Sequence, residues 1–460
     1  MTLSCAKTLP RLMRQPTKSG LICSKYPSLS VPLSLISSSR HTVPNLIFYY
    51  EFRSIFLLPA LQLLLLNNKT MNFNFLTFLL PVLAFVLPVS LGAAGHPPTP
   101  DQDFEKTFSE TFSVNGSGDV RLTNRYGDIR VETWDRNEVK IDVRVKVSAN
   151  DREDADRTFD RIEISFSGGA NTATAITSIS NGKTSSKGII RSIIDGEWPS
   201  WSNSGGSNDF KVHYTVKMPA STSLETDAKY CDVMLPDLSG NTRLTVGYGD
   251  LVAGDLTGSN EISVSYGSAR IDELGENSSF RVRYCDGNTI RRAADLRYDG
   301  RYSETEIGTV DRLRVDAGYE DMEVRQAREI RFDGNYNDLV VERVERIFLD
   351  GNYSDVEINE VTKELEVDAS YGDLEIDELA AGFERVYIRV NYIDVDLDID
   401  DDAGYELDLR TRYGSIDFSG RNATFDRDKS GSSQSLTGHK KGTGSGRVDI
   451  STSYGDIDIH

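Results

Sequence analysis

Residues 367–376 read Val367-Asp-Ala-Ser-Tyr371-Gly-Asp-Leu-Glu-Ile376, and they contain the unit that decides the fold. The unit is Tyr-x-Asp followed by an apolar residue, and it first occurs as Tyr126-Gly127-Asp128-Ile129. From residue 230 onward the tyrosine returns at a nearly constant interval, apart from one longer gap before the last copy. The tyrosines in this series are Tyr126, Tyr230, Tyr248, Tyr266, Tyr284, Tyr302, Tyr319, Tyr336, Tyr353, Tyr371, Tyr392, Tyr413 and Tyr454. Because a unit this short cannot bury its own apolar face, the copies are predicted to stack on one another.

The residues around each tyrosine alternate between apolar and polar, which is typical of β-strands. Positions two and four residues before the tyrosine are apolar or small, as in Leu244 and Val246 before Tyr248. This period of two places the tyrosine on the buried face of its strand. After the tyrosine, the next apolar residue comes at the third position instead of the second, as at Leu251. The Gly-Asp pair in between is therefore predicted to form a bend before a second short strand.

The spacing of these strands predicts the fold class. Each copy holds at least two strands and two bends, and no long helical pattern separates the copies. The strands must therefore pair with their equivalents in neighbouring copies. We predict an all-β, single-stranded parallel β-solenoid of about 12–13 coils of about 17–21 residues, with right-handed winding favoured and an N-terminal β-rich cap that contains one short helix. Leucine-rich repeats, propeller blades and calcium-binding nonapeptide rolls do not match the period or the residues.

The N-terminal part of the chain is predicted to be targeting sequence. An apolar run from Phe75 to Leu91, followed by Gly-Ala-Ala, predicts a signal peptide that starts at Met71, with an N-terminal membrane anchor as the alternative. A long insertion between the first copy and Tyr230 predicts a cap for the first coil. The predicted boundaries are 1–70 for an over-extended, disordered start, 71–94 for the signal peptide, 95–103 for a linker, 104–133 for the first coil, 134–219 for the inserted cap with a flexible Gly/Ser loop at 168–209, and 220–460 for the β-solenoid with a flexible loop at 420–446.

The chain is acidic, with a formal net charge of −20 over 460 residues. Residues 1–70 carry eight Lys and Arg and one acid, so the rest of the chain carries −27. Such a surface repels nucleic acid and anionic lipid and suits cations, basic partners or simple solubility. We therefore expect no nucleic-acid partner, and membrane contact only through the signal segment or an uncleaved anchor. Cys231 and Cys285 follow repeat tyrosines three copies apart, too far for a disulfide, so two free thiols in place of glycine are predicted.

The order of these segments resembles the bacterial "putative adhesin" family, a domain-of-unknown-function group of exported cell-envelope β-solenoids with Tyr-Gly-Asp-Ile/Leu/Val repeats. The likeness rests on Tyr126-Gly-Asp-Ile129 with Val131-Glu-Thr-Trp134, on the strand at 139–147, on Val212-His-Tyr-Thr-Val216 with Pro219, and on the serial repeats that follow. It covers approximately residues 104–460. The resemblance implies an exported β-helical protein, and it supplies no catalytic motif to carry over.

The tyrosine and aspartate positions are interpreted first as structural. The tyrosines are predicted to stack in the core, coil over coil, with an exposed aromatic strip for sugar binding as the alternative. Ten of the thirteen copies have an aspartate two residues after the tyrosine, and this aspartate is predicted to accept backbone N–H bonds at the bend. The alternative is calcium bridging between coils by Asp338, Asp355, Asp373 and Asp394. The structural-repeat residues singled out are Tyr126, Tyr248, Tyr266, Tyr284, Tyr336, Tyr353, Tyr371, Tyr392, Asp250 and Asp373.

The sequence contains no P-loop, G-x-S-x-G or H-E-x-x-H motif, so we expect a protein that is not an enzyme and uses no cofactor. Trp198 and Trp201 form a candidate contact patch, with packing of a loop as the structural alternative. The predicted function is that of an exported, non-enzymatic cell-envelope β-solenoid, adhesive or structural, in the periplasm, on the outer surface or outside the cell. The alternatives are an envelope-stress accessory protein acting through a protein partner and a carbohydrate-binding or polysaccharide-degrading β-helix protein. The partner is not identified by the sequence, and a cell-surface protein or a glycan is the expected kind.

Overall fold

The computed structural model describes residues 102–115, 117–180 and 209–460. The expected disordered start, the signal peptide, most of the linker and the pair Trp198 and Trp201 lie outside these residues. No helix in the described part is long and apolar enough to span a membrane.

The expected all-β architecture with one short helix is confirmed. The described residues form 24 strands and one helix, α1 (Arg152–Phe159). The strands up to residue 235 are β1 (Gln102–Ser113), β2 (Asp119–Thr133), β3 (Glu138–Ala149), β4 (Ile162–Gly169), β5 (Thr172–Ile179), β6 (Asp209–Met218) and β7 (Ser223–Leu235). Those of the following repeats are β8 (Thr242–Gly247), β9 (Leu251–Leu256), β10 (Asn260–Ser265), β11 (Ala269–Leu274), β12 (Ser278–Arg283), β13 (Asn288–Asn335), β14 (Asp338–Asn352), β15 (Asp355–Ser370), β16 (Leu374–Leu379), β17 (Arg385–Asn391), β18 (Val395–Ile399), β19 (Ala403–Arg412) and β20 (Ile416–Phe418). The last strands are β21 (Thr424–Ser430), β22 (Ser433–Lys440), β23 (Thr443–Ser453) and β24 (Ile457–Ile459).

The short helix α1 lies in the cap and starts at a capping aspartate. The side chain of Asp151 caps α1 by accepting a hydrogen bond from the backbone N–H of Asp154 at 2.9 Å. Ala155 and Phe159 lie on one face of the helix and are buried. The helix therefore packs onto the sheet through the apolar face that its spacing predicts.

Strands of successive repeats pair in parallel and in register. Leu244 of β8 lies beside Ile262 of β10, which in turn lies beside Phe280 of β12. The second strands of these repeats pair in the same way, with Leu251 of β9 beside Ala269 of β11. Because equivalent positions lie side by side, their apolar side chains form continuous buried rows. The alternation predicted before each tyrosine is thus confirmed for these strands.

The inserted block covers the outer edge of the first repeat. One side of β2 pairs with β7. On the other side, the first half of β2 pairs in parallel with β5 and its second half with β6. Beyond β6 the sheet continues antiparallel through β3 to β1, while β4 pairs with β5. The first coil predicted at 104–133 is therefore wrong in its first part, because β1 pairs with β3 and not with a repeat.

At the C-terminal end, the repeats follow one another in space in a different order from the chain. β23 lies between β17 and β19 and is parallel to both. β24 lies likewise between β18 and β20. The last repeat of the sequence is therefore inserted between the two repeats that precede it. The hairpin of β21 and β22 pairs in antiparallel orientation with the outer edge of β19.

Two segments expected to be loops contain strands. Residues 424–440, within the predicted flexible loop 420–446, form the hairpin of β21 and β22. Every side chain of β21 is exposed, so the segment lacks the apolar alternation by which a strand is recognised. Its order comes from backbone hydrogen bonds to the edge of the sheet. In the predicted loop 168–209, residues 172–179 form β5, and the rest of that loop beyond residue 180 lies almost entirely outside the described residues.

Candidate functional site

Each repeat tyrosine has a left-handed backbone conformation. The φ angle lies between +55° and +65° at all thirteen positions. For residues other than glycine this conformation is uncommon and costs roughly 1–2 kcal/mol. It is also the point at which the apolar alternation changes phase. The bend therefore starts at the tyrosine itself, one residue before the Gly-Asp pair that was expected to form it.

The prediction that the tyrosines are buried in the core is wrong. Twelve of them are between 41% and 51% exposed, and Tyr126 is partly buried. The residues two positions earlier, such as Val246 and Val264, are buried as the alternation predicts. The left-handed conformation turns the tyrosine outward, and the residue that follows points inward instead, as at Cys231 and Cys285. The tyrosine and the residue two positions before it fit the same apolar alternation in the sequence, yet at this bend they point to opposite sides of the strand.

The tyrosine rings form one continuous stack, which we call the tyrosine ridge. Neighbouring ring centroids are 4.7–5.1 Å apart and neighbouring planes lie within 21° of each other. The predicted stacking is confirmed. In spatial order the ridge comprises Tyr126, Tyr230, Tyr248, Tyr266, Tyr284, Tyr302, Tyr319, Tyr336, Tyr353, Tyr371, Tyr392, Tyr454 and Tyr413.

The ridge presents ring edges and hydroxyls to solvent, because the faces of its inner rings are covered by their neighbours. At one end, Phe210 packs edge-on against Tyr126 with 5.4 Å between centroids. At the other end, the guanidinium of Arg412 lies 5.1 Å from the centroid of Tyr413. Sugars commonly bind aromatic residues by stacking on a free ring face, and the inner rings do not offer one. The aromatic strip is exposed, as the alternative interpretation required, but its geometry does not favour face-on sugar binding.

The aspartates two residues after the ridge tyrosines form a row that we call the aspartate ladder, and five of them link neighbouring repeats, namely Asp232, Asp250, Asp355, Asp394 and Asp456. The carboxylate of Asp232 accepts a hydrogen bond from the backbone N–H of Asp250 at 3.0 Å, and Asp250 accepts one from Ser268 at 2.9 Å. The same bond joins Asp355 to the N–H of Asp373 at 3.1 Å. At the C-terminal end it joins Asp394 to Asp456 and Asp456 to Ser415. The prediction that these aspartates accept backbone N–H bonds is confirmed, with the donor in the adjacent repeat.

The calcium alternative named Asp338, Asp355, Asp373 and Asp394. In the part of the chain that the structure describes, the group of metal-ligand side chains close enough to share an ion is instead Asp396, Asp398 and His460, all exposed. Burial, followed by the charges of Asp321 and Asp355, raises the pKa of Asp338. Burial is the larger cause, and the like charges of the two neighbouring aspartates add to it. Calcium binding by these aspartates stays the alternative interpretation, and removal of metal by a chelator tests it.

The sequence profile of the family Toastrack DUF4097 matches residues 128–460, which is most of the chain. The chain belongs to this family. The resemblance to the "putative adhesin" group is confirmed at the level of the family. None of the curated proteins compared with the chain matches it.

Three solved structures are similar to this Toastrack protein at low identity. One is described as a putative cell adhesion protein from Clostridium sporogenes, with 12% identity, 77% of this chain and 99% of that chain covered, and a TM-score of 0.16. A second is described as a putative adhesin from Bacteroides fragilis, with 9% identity, 77% and 97% covered, and a TM-score of 0.21. A third is described as a putative lipid binding protein from Parabacteroides distasonis, with 10% identity, 77% and 96% covered, and a TM-score of 0.20.

The position after the ridge tyrosine is filled in two ways in this Toastrack chain. In six repeats it is glycine, because the backbone passes too close to the previous repeat for a side chain. A Cβ on Gly249 would lie 2.1 Å from the carbonyl oxygen of Cys231. Elsewhere the position carries an inward side chain. Cys231 and Cys285 are free and buried there, as predicted, and burial raises the pKa of Cys231 to about 12. Such a thiol is not a nucleophile at neutral pH.

Glu320 occupies the same inward position and is fully buried, which the sequence analysis missed. One of its carboxylate oxygens accepts a hydrogen bond from the hydroxyl of Tyr298, which also lies 2.7 Å from the hydroxyl of Thr305. The other oxygen, Oε2, has no partner among the described residues. Burial raises the pKa of Glu320 to about 7. The carboxylate uses space left by Gly300, where a Cβ would lie 2.6 Å from Glu320 Cδ.

The strands that precede the ridge carry opposite charges on their outer face. Arg125 forms an ion pair with Asp227 at 2.8 Å, and Arg283 forms one with Asp299 at 2.8 Å. Further pairs between repeats on this face are Arg121–Glu225, Arg243–Glu261, Arg281–Asp299 and Arg389–Asp449. Since these residues are paired across neighbouring strands, this face is close to balanced in charge.

The strands that follow the ridge carry an acidic column at the C-terminal end. Its members lie side by side in register and are, in spatial order, Glu357, Glu375, Asp396, Asp458 and Asp417. Burial, followed by the charges of neighbouring acids, raises the pKa of both Glu375 and Asp458. Each member lies four residues after its repeat tyrosine, so an alignment of the repeats carries the signal for this column, which the sequence reasoning did not use.

A histidine on a strand of the cap contacts the first repeat. His213 of β6 places Nδ1 2.6 Å from a carboxylate oxygen of Asp128. Asp128 therefore bonds to the cap, which occupies the side of β2 where a preceding repeat would lie. The candidate contact patch of Trp198 and Trp201 lies outside the described residues.

Proposed function

We propose that this Toastrack protein is an exported β-solenoid of the cell envelope that acts as a non-enzymatic structural or adhesive surface protein. The observation that carries the proposal is that equivalent side chains of successive repeats form continuous rows on the surface of the protein. The tyrosine ridge and the acidic column both repeat at the spacing of stacked strands. A surface of this kind suits an extended, repetitive partner, which gains affinity from many weak and equal contacts.

The solenoid part of the proposal is supported by the pairing of the strands. Both strands of a repeat pair in parallel with the equivalent strands of the next repeat, as at Ile262 with Phe280 and Ala269 with Leu251. The bends between them stack as well, because the tyrosines at the bends are in contact. A chain that returns to an equivalent position after each repeat winds as a solenoid.

The non-enzymatic part is supported by the chemistry of the outer surface. A groove of about 740 Å³ lies over the repeats that contain Arg270 and Arg291. Its lining has no histidine or cysteine, and two of its three acids, Asp272 and Glu306, form ion pairs with Arg291 and Arg325, which leaves Glu342 as the third acid. Carboxylates held by arginines in this way do not form the pair of acids, one protonated and one ionised, that glycoside hydrolysis requires.

Localisation in the native host, combined with cross-linking, tests the proposal. We expect the chain in the envelope or outside the cell, cleaved after the run 71–94 as read by mass spectrometry of its N-terminus. Cross-linking on intact cells is expected to capture surface proteins or glycans. A chain confined to the cytoplasm with residues 71–94 intact would overturn the proposal.

Two binding assays on the purified chain separate the adhesive role from its rivals. Retention of protein-coated beads on a glycan array supports adhesion to a glycan. Capture of one stoichiometric protein partner by pull-down points to an accessory role instead. Release of reducing ends or unsaturated sugars from the retained glycan would show an enzyme and contradict the non-enzymatic assignment.

A further inference from the structure

Eleven of the thirteen hydroxyls of the tyrosine ridge have no protein hydrogen-bond partner within the described residues. Tyr126 apart, Tyr413 is the ridge residue whose hydroxyl has a protein hydrogen-bond partner within the described residues, namely Arg412 at 3.5 Å. By contrast, the buried Tyr214 and Tyr298 both use their hydroxyls in hydrogen bonds. Phenylalanine rings would stack equally well, yet all thirteen repeats carry tyrosine. Packing therefore accounts for the rings, and the row of solvent-facing phenols needs a separate explanation.

The phenols are close enough to react with one another. Each inner ridge tyrosine has two neighbouring phenols whose ring centroids lie within 5.1 Å. These neighbouring rings are nearly parallel, with interplanar angles of 0–8°. About half of each ring is exposed, and exposed side chains change their torsions in picoseconds to nanoseconds. Neighbouring rings can therefore approach each other without any change in the backbone.

We propose that the tyrosine ridge is an oxidative cross-linking site, at which a haem peroxidase with hydrogen peroxide joins neighbouring tyrosines as dityrosine. Each of two phenols gives one electron to the oxidant and its hydroxyl proton to water. The two phenoxyl radicals form a carbon–carbon bond between their ortho carbons, and the ortho hydrogens move to the oxygens and restore both phenols. The two electrons and two protons reduce one hydrogen peroxide to two waters.

The cross-link would supply a covalent bond that this chain otherwise lacks. Its two cysteines in the described part, Cys231 and Cys285, are free, buried and three repeats apart, so no disulfide joins the described repeats and only non-covalent contacts hold them together. A bond between the tyrosines of two consecutive repeats, such as Tyr319 and Tyr336, closes a loop in the unfolded chain and stabilises the fold as a disulfide does. This inference concerns the ridge chemistry and does not depend on the function proposed above.

The interleaved C-terminal repeat provides a sharp test. The dilute, folded protein is treated with peroxidase and hydrogen peroxide, digested, and searched for dityrosine-linked peptides by mass spectrometry. We expect cross-links between Tyr392 and Tyr454 and between Tyr413 and Tyr454, whose centroids are 4.7 Å apart in both pairs. We expect none between Tyr392 and Tyr413. These two belong to repeats that are consecutive along the chain, but Tyr454 separates them in the ridge. Equal amounts of all three cross-links would overturn the proposal.

Two matched variants test the role of adjacency. The alternating variant carries Tyr→Phe at Tyr230, Tyr266, Tyr302, Tyr336, Tyr371 and Tyr454, so no two phenols remain neighbours. The block variant carries the same number of Tyr→Phe changes at Tyr126, Tyr230, Tyr248, Tyr266, Tyr284 and Tyr302, and leaves the remaining seven phenols adjacent.

Dityrosine fluorescence is expected to fall to near background in the alternating variant and to about half in the block variant, because coupling depends on proximity. Equal yields from the two variants would contradict the proposal. Circular dichroism checks that both variants fold. If one does not, the peptide map of the unaltered chain still decides, because it needs no substitution.

Discussion

Two groups of repeats fill the same part of the core from opposite sides of the tyrosine. In the repeats of Tyr248 and Tyr266, the residue after the tyrosine is glycine, and Val246 or Val264 fills the space from two positions earlier. In the repeats of Tyr319, Tyr336 and Tyr353, the filling side chains come after the tyrosine, and the earlier position is small. These later pairs are Ala317 with Glu320, Gly334 with Asn337 and Gly351 with Ser354.

The difference between the groups is one of polarity. The first group has an apolar interior, whereas the second places a carboxylate, an amide and a hydroxyl inside the stack. Glu320 Oε2 and Asn337 Nδ2 are buried there without a partner in the described part of the chain. Since unpaired buried polar groups destabilise a fold, the second group is expected to be the weaker part of the stack. The predictions below test that contrast.

The largest effect is expected where glycine meets the backbone of the preceding repeat. Gly249→Val would place a Cβ about 2 Å from the carbonyl oxygen of Cys231, so strands must separate. We expect a loss of about 3 kcal/mol in the free energy of unfolding, measured by urea denaturation. Ser354→Ala, at the same position in the other group, is the matched control. It loses only the hydroxyl that accepts the N–H of Asn337 at 3.2 Å, a loss of about 1 kcal/mol. Equal losses would show that the two groups do not differ.

The next effect concerns pH and the buried Glu320. Its pKa is raised from 4.5 to about 7, so the stabilisation is full below pH 4.5 and is lost as pH rises through 7. We expect Glu320→Gln to lack this loss, so that the stability of the variant relative to the parent rises by roughly 3 kcal/mol between pH 4.5 and 8. Urea midpoints across that pH range provide the measurement. Parallel pH profiles for variant and parent would count against a protonated Glu320.

A smaller effect is expected for the ridge. Tyr336→Ala removes two ring contacts at 4.9 Å, each with about 0.5–1.5 kcal/mol beyond the area it buries, so the loss should be about 1–3 kcal/mol. Tyr336→Phe keeps both contacts and should change stability by less than about 0.5 kcal/mol. Thermal unfolding of the two variants provides the comparison. A large loss from the Phe variant would mean that the hydroxyl is structural after all.

The smallest effect is expected at the aspartate ladder. Asp355→Ala removes the acceptor for the N–H of Asp373 and should destabilise by about 1 kcal/mol. The melting temperature of the unaltered chain should not change when a chelator is added, since backbone N–H groups already bind these carboxylates. A drop in melting temperature with chelator, restored by calcium, would favour the metal alternative.

Sequence periodicity is enough to predict the stacking, the parallel register and the N–H-accepting role of the aspartates, because each depends on spacing alone. The side to which a residue points at a bend depends on its backbone conformation. Tyr336 follows Phe332 and Gly334 in the alternation, yet its positive φ turns it outward. Glycine, asparagine and aspartate are the residues that signal such a conformation, and tyrosine is not among them.

Contacts between segments distant in sequence were equally hard to predict. The insertion of the last repeat depends on where a chain end returns, which no local pattern records. The column from Glu357 to Asp417 did leave a pattern, since its acids lie four residues after each tyrosine. Glu320 left a faint signal, since it is the one acid at a position otherwise filled by Gly, Cys, Ser, Asn or Ile. A charge at an inward position next to Gly300 could have been interpreted as a buried carboxylate.

The interleaved end also constrains how the protein can be made. Repeats can add one by one behind the ribosome as far as β17 and β18, because each new repeat finds its neighbour already in place. The repeat of Tyr413 cannot, since its partner strands β23 and β24 are synthesised after it. The strand edge at residues 385–399 therefore stays without these partners until β23 and β24 have been synthesised. A chain that stopped at Gly442, before β23, would leave that edge open to pairing with another molecule.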